Sequence, residues 1–334
     1  MKQKKFGNRG PDVSVIGQGT WYLDRGDRKA AIAALRRGVE TGMTHIDTAE
    51  MYGDAELVIA DAIAGFSREK LFLVSKVLPS NASRRGTVTA CERSLKRLKT
   101  DHLDCYLLHW RGSYPFEETV AAFDELVRAG KIRSWGVSNF DSDDLDELLY
   151  VAGEGKIACN QVLYHLQERA IEHAVIPWCE QHGVAVVAYS PFGHNDFPSA
   201  RSKGGEVLQV IADAHKATAR QVALAFLTRA PSVIAIPKAS SAEHAADNAG
   251  AGNLKLSVPR SPHSTRRFRA DPSRAVFRCC SGLLLPLPAL RAASGARLKR
   301  QLAPSRSIDA SRNTVFNKVL QLPPPRISAS CFRA

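Results

Sequence analysis

The chain has 334 residues, 44% hydrophobic and 24% charged, a soluble-globular composition with length for a large core in one or two domains. No apolar run reaches the ~18 residues that a membrane-spanning helix needs. The formal charge of +13 points to nucleic acid or a membrane surface only until its location is read: residues 258–334 hold 15 Lys and Arg against Asp271 and Asp309, so residues 1–257 carry 31 charges of each sign.

The basic start, Met1-Lys2-Gln3-Lys4-Lys5, has no apolar stretch behind it, which argues against a signal peptide and a secreted disulfide scaffold. Lys2, Lys4 and Lys5 are read as the solvated face of an N-terminal hairpin. From there short β-rich runs alternate with amphipathic helical runs. Strands are expected at 15–19, 44–47, 71–76, 103–109, 132–138, 158–161, 184–188 and 233–236. Several of them are nearly continuous apolar runs, the pattern of parallel strands covered on both faces. Helices are expected between them at 28–41, 55–64, 87–99, 116–129, 142–150, 171–182, 218–228 and 241–250. In the fourth helix Phe116, Val120, Phe123 and Val127 recur at helical spacing, and Gly130 follows as a C-terminal stop. An extra apolar segment at 207–215 reads as a helix inserted in a long loop.

Eight such units predict an α/β fold, a (β/α)8 TIM barrel with an N-terminal β-hairpin, over residues 1–257. An open doubly wound sheet is the competitor. The first strand ends in only Gly17-Gln18-Gly19-Thr20-Trp21, short of a dinucleotide fingerprint. Cys91, Cys105, Cys159 and Cys179 read as buried free thiols of a reducing, cytoplasmic compartment. No Cys-x-x-Cys spacing occurs, and no metal is expected.

Residues 258–334 change character. They have no glutamate, 13 arginines to two lysines, and nine of the 17 prolines. Arginine is costly to bury and proline blocks regular pairing, so the tail is read as disordered. The same composition resembles GC-rich DNA translated out of frame. A basic arm for nucleic acid or acidic lipid is the functional alternative. The apolar patch around Leu283–Leu287 would favour association in a protein otherwise expected to be monomeric.

Chemistry in a parallel barrel gathers where strands end. Asp47, Lys76 and His109 fall at the ends of the second, third and fourth strands, and Tyr52 lies in the loop after Asp47. Each alone has a bland reading: a helix cap, an edge charge, a core histidine, a rim aromatic. Together they make a proton-transfer set. A tyrosine, with a reference pKa of about 10, becomes a better proton donor when an ammonium stands beside it. A carboxylate keeps that ammonium charged, and a histidine hydrogen-bonds a substrate oxygen as charge develops there. This suits carbonyl reduction with hydride from a cofactor.

The motifs His45-Ile46-Asp47-Thr48-Ala49-Glu50-Met51-Tyr52-Gly53, Val74-Ser75-Lys76-Val77, Leu107-Leu108-His109-Trp110, Gly136-Val137-Ser138-Asn139-Phe140, Ala188-Tyr189-Ser190-Pro191 and Ile236-Pro237-Lys238 stand in order along the chain. With them the chain resembles the aldo/keto reductase family, closest to its small bacterial methylglyoxal-reductase-like members. The resemblance covers residues 3 to 252. It implies catalytic roles for Asp47, Tyr52, Lys76 and His109. It implies a substrate pocket lined by Trp21, Tyr52, His109, Trp110 and Phe192, taking small carbonyl compounds. It also implies NADPH (NADP+) as cofactor, with Tyr189 under the nicotinamide, Ser138, Asn139 and Gln161 at its carboxamide, and Lys238 and Ser240 at the 2′-phosphate. Gly19, Thr20, Trp21, Asp47, Ser190, Pro191, Phe192, Ile236, Pro237, Ala239, His244 and Asn248 complete that expected cofactor set. His244 stands where many relatives have arginine, which softens the preference for NADPH over NADH.

Relatives continue past the Asn248 region with a short acidic helix that nothing after Leu256 matches, so the pocket is expected to lack its C-terminal wall. A regulatory or redox-sensing NADPH-binding barrel with little turnover is the alternative reading. The intact proton-transfer set weighs against it.

Overall fold

The computed structural model describes residues 1–256. The Arg/Pro-rich segment, with its expected disorder, its out-of-frame reading, its apolar patch and Cys279, Cys280 and Cys331, lies outside the described residues.

The N-terminal hairpin pairs β1 (Gln3–Lys5) with β2 (Asp12–Ser14) in antiparallel register. The barrel follows: β3 (Gln18–Gly19), α1 (Arg28–Glu40), β4 (His45–Asp47), α2 (Ala55–Ile63), β5 (Phe72–Val77), α3 (Arg84–Leu98), β6 (Leu103–Leu108) and α4 (Phe116–Arg128). Its second half is β7 (Ile132–Ser138), α5 (Ser142–Ala152), β8 (Ile157–Leu163), α6 (Val175–His182), β9 (Ala185–Tyr189), α7 (Lys203–His215), α8 (Ala219–Leu227), β10 (Val233–Ile236) and α9 (Ala242–Gly250). Parallel pairing runs in chain order from β3 to β10. The ring closes where Gly17 N donates to Ala235 O at 2.8 Å and Ala235 N to Val15 O at 3.1 Å. The (β/α)8 barrel with its hairpin is the expected architecture.

Some boundaries differ for local reasons. The first strand is shorter than 15–19, because only Gln18 and Gly19 join the ladder and Ile16 makes a single bridge to Ala235. α3 begins at Arg84, ahead of the expected 87, since the Ser83 side chain accepts the Gly86 N–H and caps it. The expected helix 171–182 is broken into a 3-10 turn, Ala170–Glu172, and α6. The inserted helix forms as α7.

Alternation along each strand sorts side chains between two cores. Outward residues such as Leu73, Tyr106, Val137 and Val186 pack under the helices. Inward residues, including Phe72, Val74, Cys105, Leu107, Cys159, Val187 and Ile234, fill the barrel with Phe6 and Val13 of the hairpin. The hairpin thus plugs the end of the barrel opposite the strand C-termini. Phe6 packs on Phe72 with ring centroids 4.6 Å apart, and the buried His45 ring meets both.

The hairpin corrects the reading of Lys4 as solvated. Its side chain is buried, and Nζ donates to the carbonyl oxygens of Thr228 at 2.7 Å, Ala230 at 2.6 Å and Val233 at 2.7 Å. An ammonium has three donors, and the turn between α8 and β10 presents three acceptors to it. Lys2 and Lys5 remain exposed. Cys91, Cys105, Cys159 and Cys179 are free and buried. No described helix is long and apolar enough to cross a membrane.

Candidate active site

The same alternation that fills the barrel with apolar groups changes chemistry in its last layer. Asp47, two residues after the inward His45, and Lys76, two after Val74, point into the mouth at the strand C-termini. His109 follows β6, its N–H donating to Val77 O at 3.0 Å. Lys76 is fully buried, and Asp47 and His109 are 1% and 3% exposed.

Lys76 Nζ donates to Asp47 Oδ1 at 2.5 Å and to Thr48 O at 2.7 Å. Gln161 Nε2 donates to the other carboxylate oxygen of Asp47 at 2.6 Å. The ammonium stands 5.0 Å from the centre of the Tyr52 ring. Burial acts to lower the Lys76 pKa, but the Asp47 charge and the Tyr52 oxygen outweigh it, and the net shift is upward. The ammonium therefore stays charged. For Asp47 burial is the largest influence and pushes the pKa up, while Lys76 and the Gln161 hydrogen bond act against it.

The Tyr52 and His109 rings meet edge to face, with centroids 5.7 Å apart. Burial, helped by the Lys76 charge, lowers the His109 pKa to about 2, so this imidazole is neutral at physiological pH. A neutral ring donates from one nitrogen only. His109 Nδ1 has no protein partner among the described residues.

Above these residues lies a cavity of about 590 Å3. Of the residues singled out from the sequence, Gly19, Thr20, Trp21, Asp47, Tyr52, His109, Ser138, Asn139, Gln161, Tyr189, Ser190, Pro191, Phe192, Ile236 and Lys238 line it. Lys76 sits behind the floor. Trp110 packs beside His109, ring centroids 4.9 Å apart, but is not among the lining residues. Pro237, Ala239, Ser240, His244 and Asn248 are also outside the lining. Lys238 Nζ reaches Ser240 Oγ at 3.5 Å, and both are exposed beside α9, whose first turn holds His244. Asn248 is buried.

One wall is built as a platform. Tyr189 OH donates to Asn139 Oδ1 at 2.8 Å, and Asn139 Nδ2 donates to His109 O at 3.0 Å. Asn139 and Ser190 both have φ in the left-handed region, +63° and +47°. Such backbone is costly for residues with a side chain and persists only where its surroundings enforce it.

Tyr22, Asp24, Arg25, Met51, Gly53, Gly193 and His194 also line the cavity and were not singled out from the sequence. They come from loops, where no periodicity marks a direction. Trp21 meets His194 edge to face across the mouth at 5.4 Å, joining the loops after β3 and β9. Among the described residues no group of three or more His, Cys, Asp or Glu is placed to hold a metal ion.

The aldo/keto reductase family model matches residues 15–259. The chain is similar to methylglyoxal reductase YeaE of Escherichia coli, 49% identical over 77% of this chain and 92% of that one. It is also similar to glyoxal reductase of Bacillus subtilis, 33% identical over 75% and 87% of the two chains. Among solved structures, an aldo-keto reductase from Klebsiella pneumoniae in complex with NADPH is 45% identical, with a TM-score of 0.72 over 77% of this chain and 92% of that one. A match that takes in every strand of the barrel, at these identities, shows that the chain belongs to the aldo/keto reductase family.

Proposed function

We propose that this protein reduces small aldehydes and ketones to alcohols with NADPH, and that Asp47, Tyr52, Lys76 and His109 carry out the proton transfer. The observation that carries this reading is the ammonium of Lys76, buried against the Asp47 carboxylate and the Tyr52 ring just behind the floor of an open cavity. NADPH, when bound, supplies the hydride.

The residues present suit a nicotinamide dinucleotide. Tyr189, pinned through Asn139, offers a flat face for the nicotinamide ring. Ser138, Asn139 and Gln161 offer amide and hydroxyl partners for its carboxamide. Gly19 lets the end of β3 lie close against β10 at the rim, since a Cβ there would lie 2.6 Å from Ile236 O. Lys238, Ser240 and His244 would receive the 2′-phosphate beside the N-terminus of α9.

A carbonyl substrate places its oxygen between Tyr52 and His109. His109, neutral, donates a hydrogen bond to that oxygen, which strengthens as negative charge builds on it. Tyr52 then delivers its proton. Lys76 eases that transfer because a charged ammonium favours phenolate, and Asp47 holds the ammonium in place. Trp21, Met51 and Phe192 give the pocket apolar walls. The names of the two similar reductases favour α-dicarbonyls such as methylglyoxal among its substrates.

The test is loss of NADPH absorbance by the full chain with methylglyoxal and an aromatic aldehyde offered in parallel, and NADH as control. Tyr52→Phe is expected to remove most turnover while NADPH still binds. Lys238→Ala is expected to weaken NADPH about tenfold, the loss of one ~1.4 kcal/mol contact, and to leave NADH unchanged. Turnover that survives Tyr52→Phe overturns the role assignment. NADPH binding without turnover in the unaltered chain favours a binding protein over an enzyme.

A further inference from the structure

The loop that carries Tyr52 is held from behind by the helix α3. Arg97 Nη2 donates to Gly53 O at 2.5 Å, directly after Tyr52, and to Asp54 Oδ1 at 3.2 Å. Its Nε donates to Glu56 Oε2 at 3.0 Å. Glu56 is only 1% exposed, and its other oxygen accepts from Ser75 Oγ at 2.8 Å. Ser75 is the strand neighbour of Lys76.

A buried carboxylate needs compensation, and Glu56 has a guanidinium on one side and a hydroxyl on the other. Its place in the first turn of α2 also suits the helix dipole, which a purely structural role would explain. That role leaves unexplained why the guanidinium also binds the loop at Gly53. Gly53 has φ +54°, and a Cβ there would lie 2.1 Å from Asp24 Oδ2, so the turn after Tyr52 is confined on both sides.

We propose that Arg97, acting through Glu56, is a positioning residue that sets the approach of Tyr52 to Lys76. The strand of Lys76 is tied through Ser75, the loop of Tyr52 through Gly53, and both ties end on one ion pair. This rests on the reading of Tyr52 as proton donor. The attraction between the Lys76 charge and a phenolate falls with distance, so a looser loop makes Tyr52 a weaker acid.

The experiment compares Arg97→Met, Arg97→Lys and Glu56→Gln in the full chain, reading kcat, KM, NADPH affinity, melting temperature and the pH profile of kcat. For Arg97→Met, kcat is expected to fall about 10- to 100-fold, the scale of an ångström-level misplacement. NADPH affinity stays within about threefold, because none of these groups touches the proposed cofactor surface. The alkaline limb of kcat moves to higher pH, and Arg97→Lys recovers part of both effects.

An unchanged kcat and alkaline limb in folded Arg97→Met overturns the proposal. So does a loss of kcat that follows melting temperature in Arg97→Met and Glu56→Gln while the limb stays in place. Should Arg97→Met not fold, Ser75→Ala, which cuts the tie without removing a charge, decides on the same limb. Turnover surviving in Tyr52→Phe would instead remove the site reading itself. An inactive Tyr52→Phe with an unaffected Arg97→Met removes only the positioning role.

Discussion

Acidification from pH 7 to pH 5 is expected to destabilise the barrel through buried histidines held neutral inside it, His45 and His109 foremost. Burial, with the Lys76 charge behind it, lowers the His45 pKa to about 3. Neither ring nitrogen of His45 has a protein partner among the described residues, and its ring is enclosed by Phe6 and Phe72. His109 is lowered further, to about 2. An unfolded histidine titrates at about 6.5, so below that pH the unfolded chain binds more protons than the folded one. Stability therefore falls as pH falls, by about 1.4 kcal/mol per unit for each group until the folded pKa is reached. At pH 5 each histidine costs roughly 2 kcal/mol relative to pH 7, and the pair about 4 kcal/mol. Urea unfolding midpoints at pH 7, 6 and 5 measure this. His45→Leu, close in volume, is expected to remove about 2 kcal/mol of the pH dependence while keeping the same denaturant slope. A His45→Leu variant with the full pH dependence would refute the assignment.

Lys76→Met leaves Asp47 buried without its countercharge and is expected to cost about 3–5 kcal/mol along with turnover. Adding Asp47→Asn should return most of the stability and none of the activity, a split that denaturation and NADPH oxidation resolve. Lys4→Met orphans the three carbonyls at the α8–β10 turn, and a loss of roughly 2–3 kcal/mol is expected. A melting temperature within a degree of the unaltered protein would show that the buried ammonium contributes nothing net. A chain ended after Ser257 is expected to keep its turnover and solubility, as the composition break at 258 suggests. A much less active or less soluble truncation would show that residues 258–334 serve the barrel.

Nearly continuous apolar runs, alternating with amphipathic helices of about three turns, determined the barrel from the sequence. Both patterns are local: a strand's inside and outside alternate whatever lies across from it. Those runs also made Asp47, Lys76, His109, Ser138 and Gln161 legible, because polar residues at strand ends interrupt an apolar code. Tyr52 was legible only through its spacing from Asp47.

Tertiary structure decided the rest. Lys4 reads as one of three solvated lysines until the chain brings the carbonyls of Thr228, Ala230 and Val233 around it, over 220 residues away. Trp110, Tyr22, Met51 and His194 are loop residues whose directions no periodicity encodes, and only closure of the ring sorts them into lining and surroundings. Nothing in the sequence singles out Arg97 or Glu56. Their joint contacts with Gly53 and Ser75, the chain neighbours of Tyr52 and Lys76, exist only when α2, α3 and β5 stand side by side. A local pattern records which way a side chain faces. What it meets there is set by distant segments, and that information belongs to the packed fold.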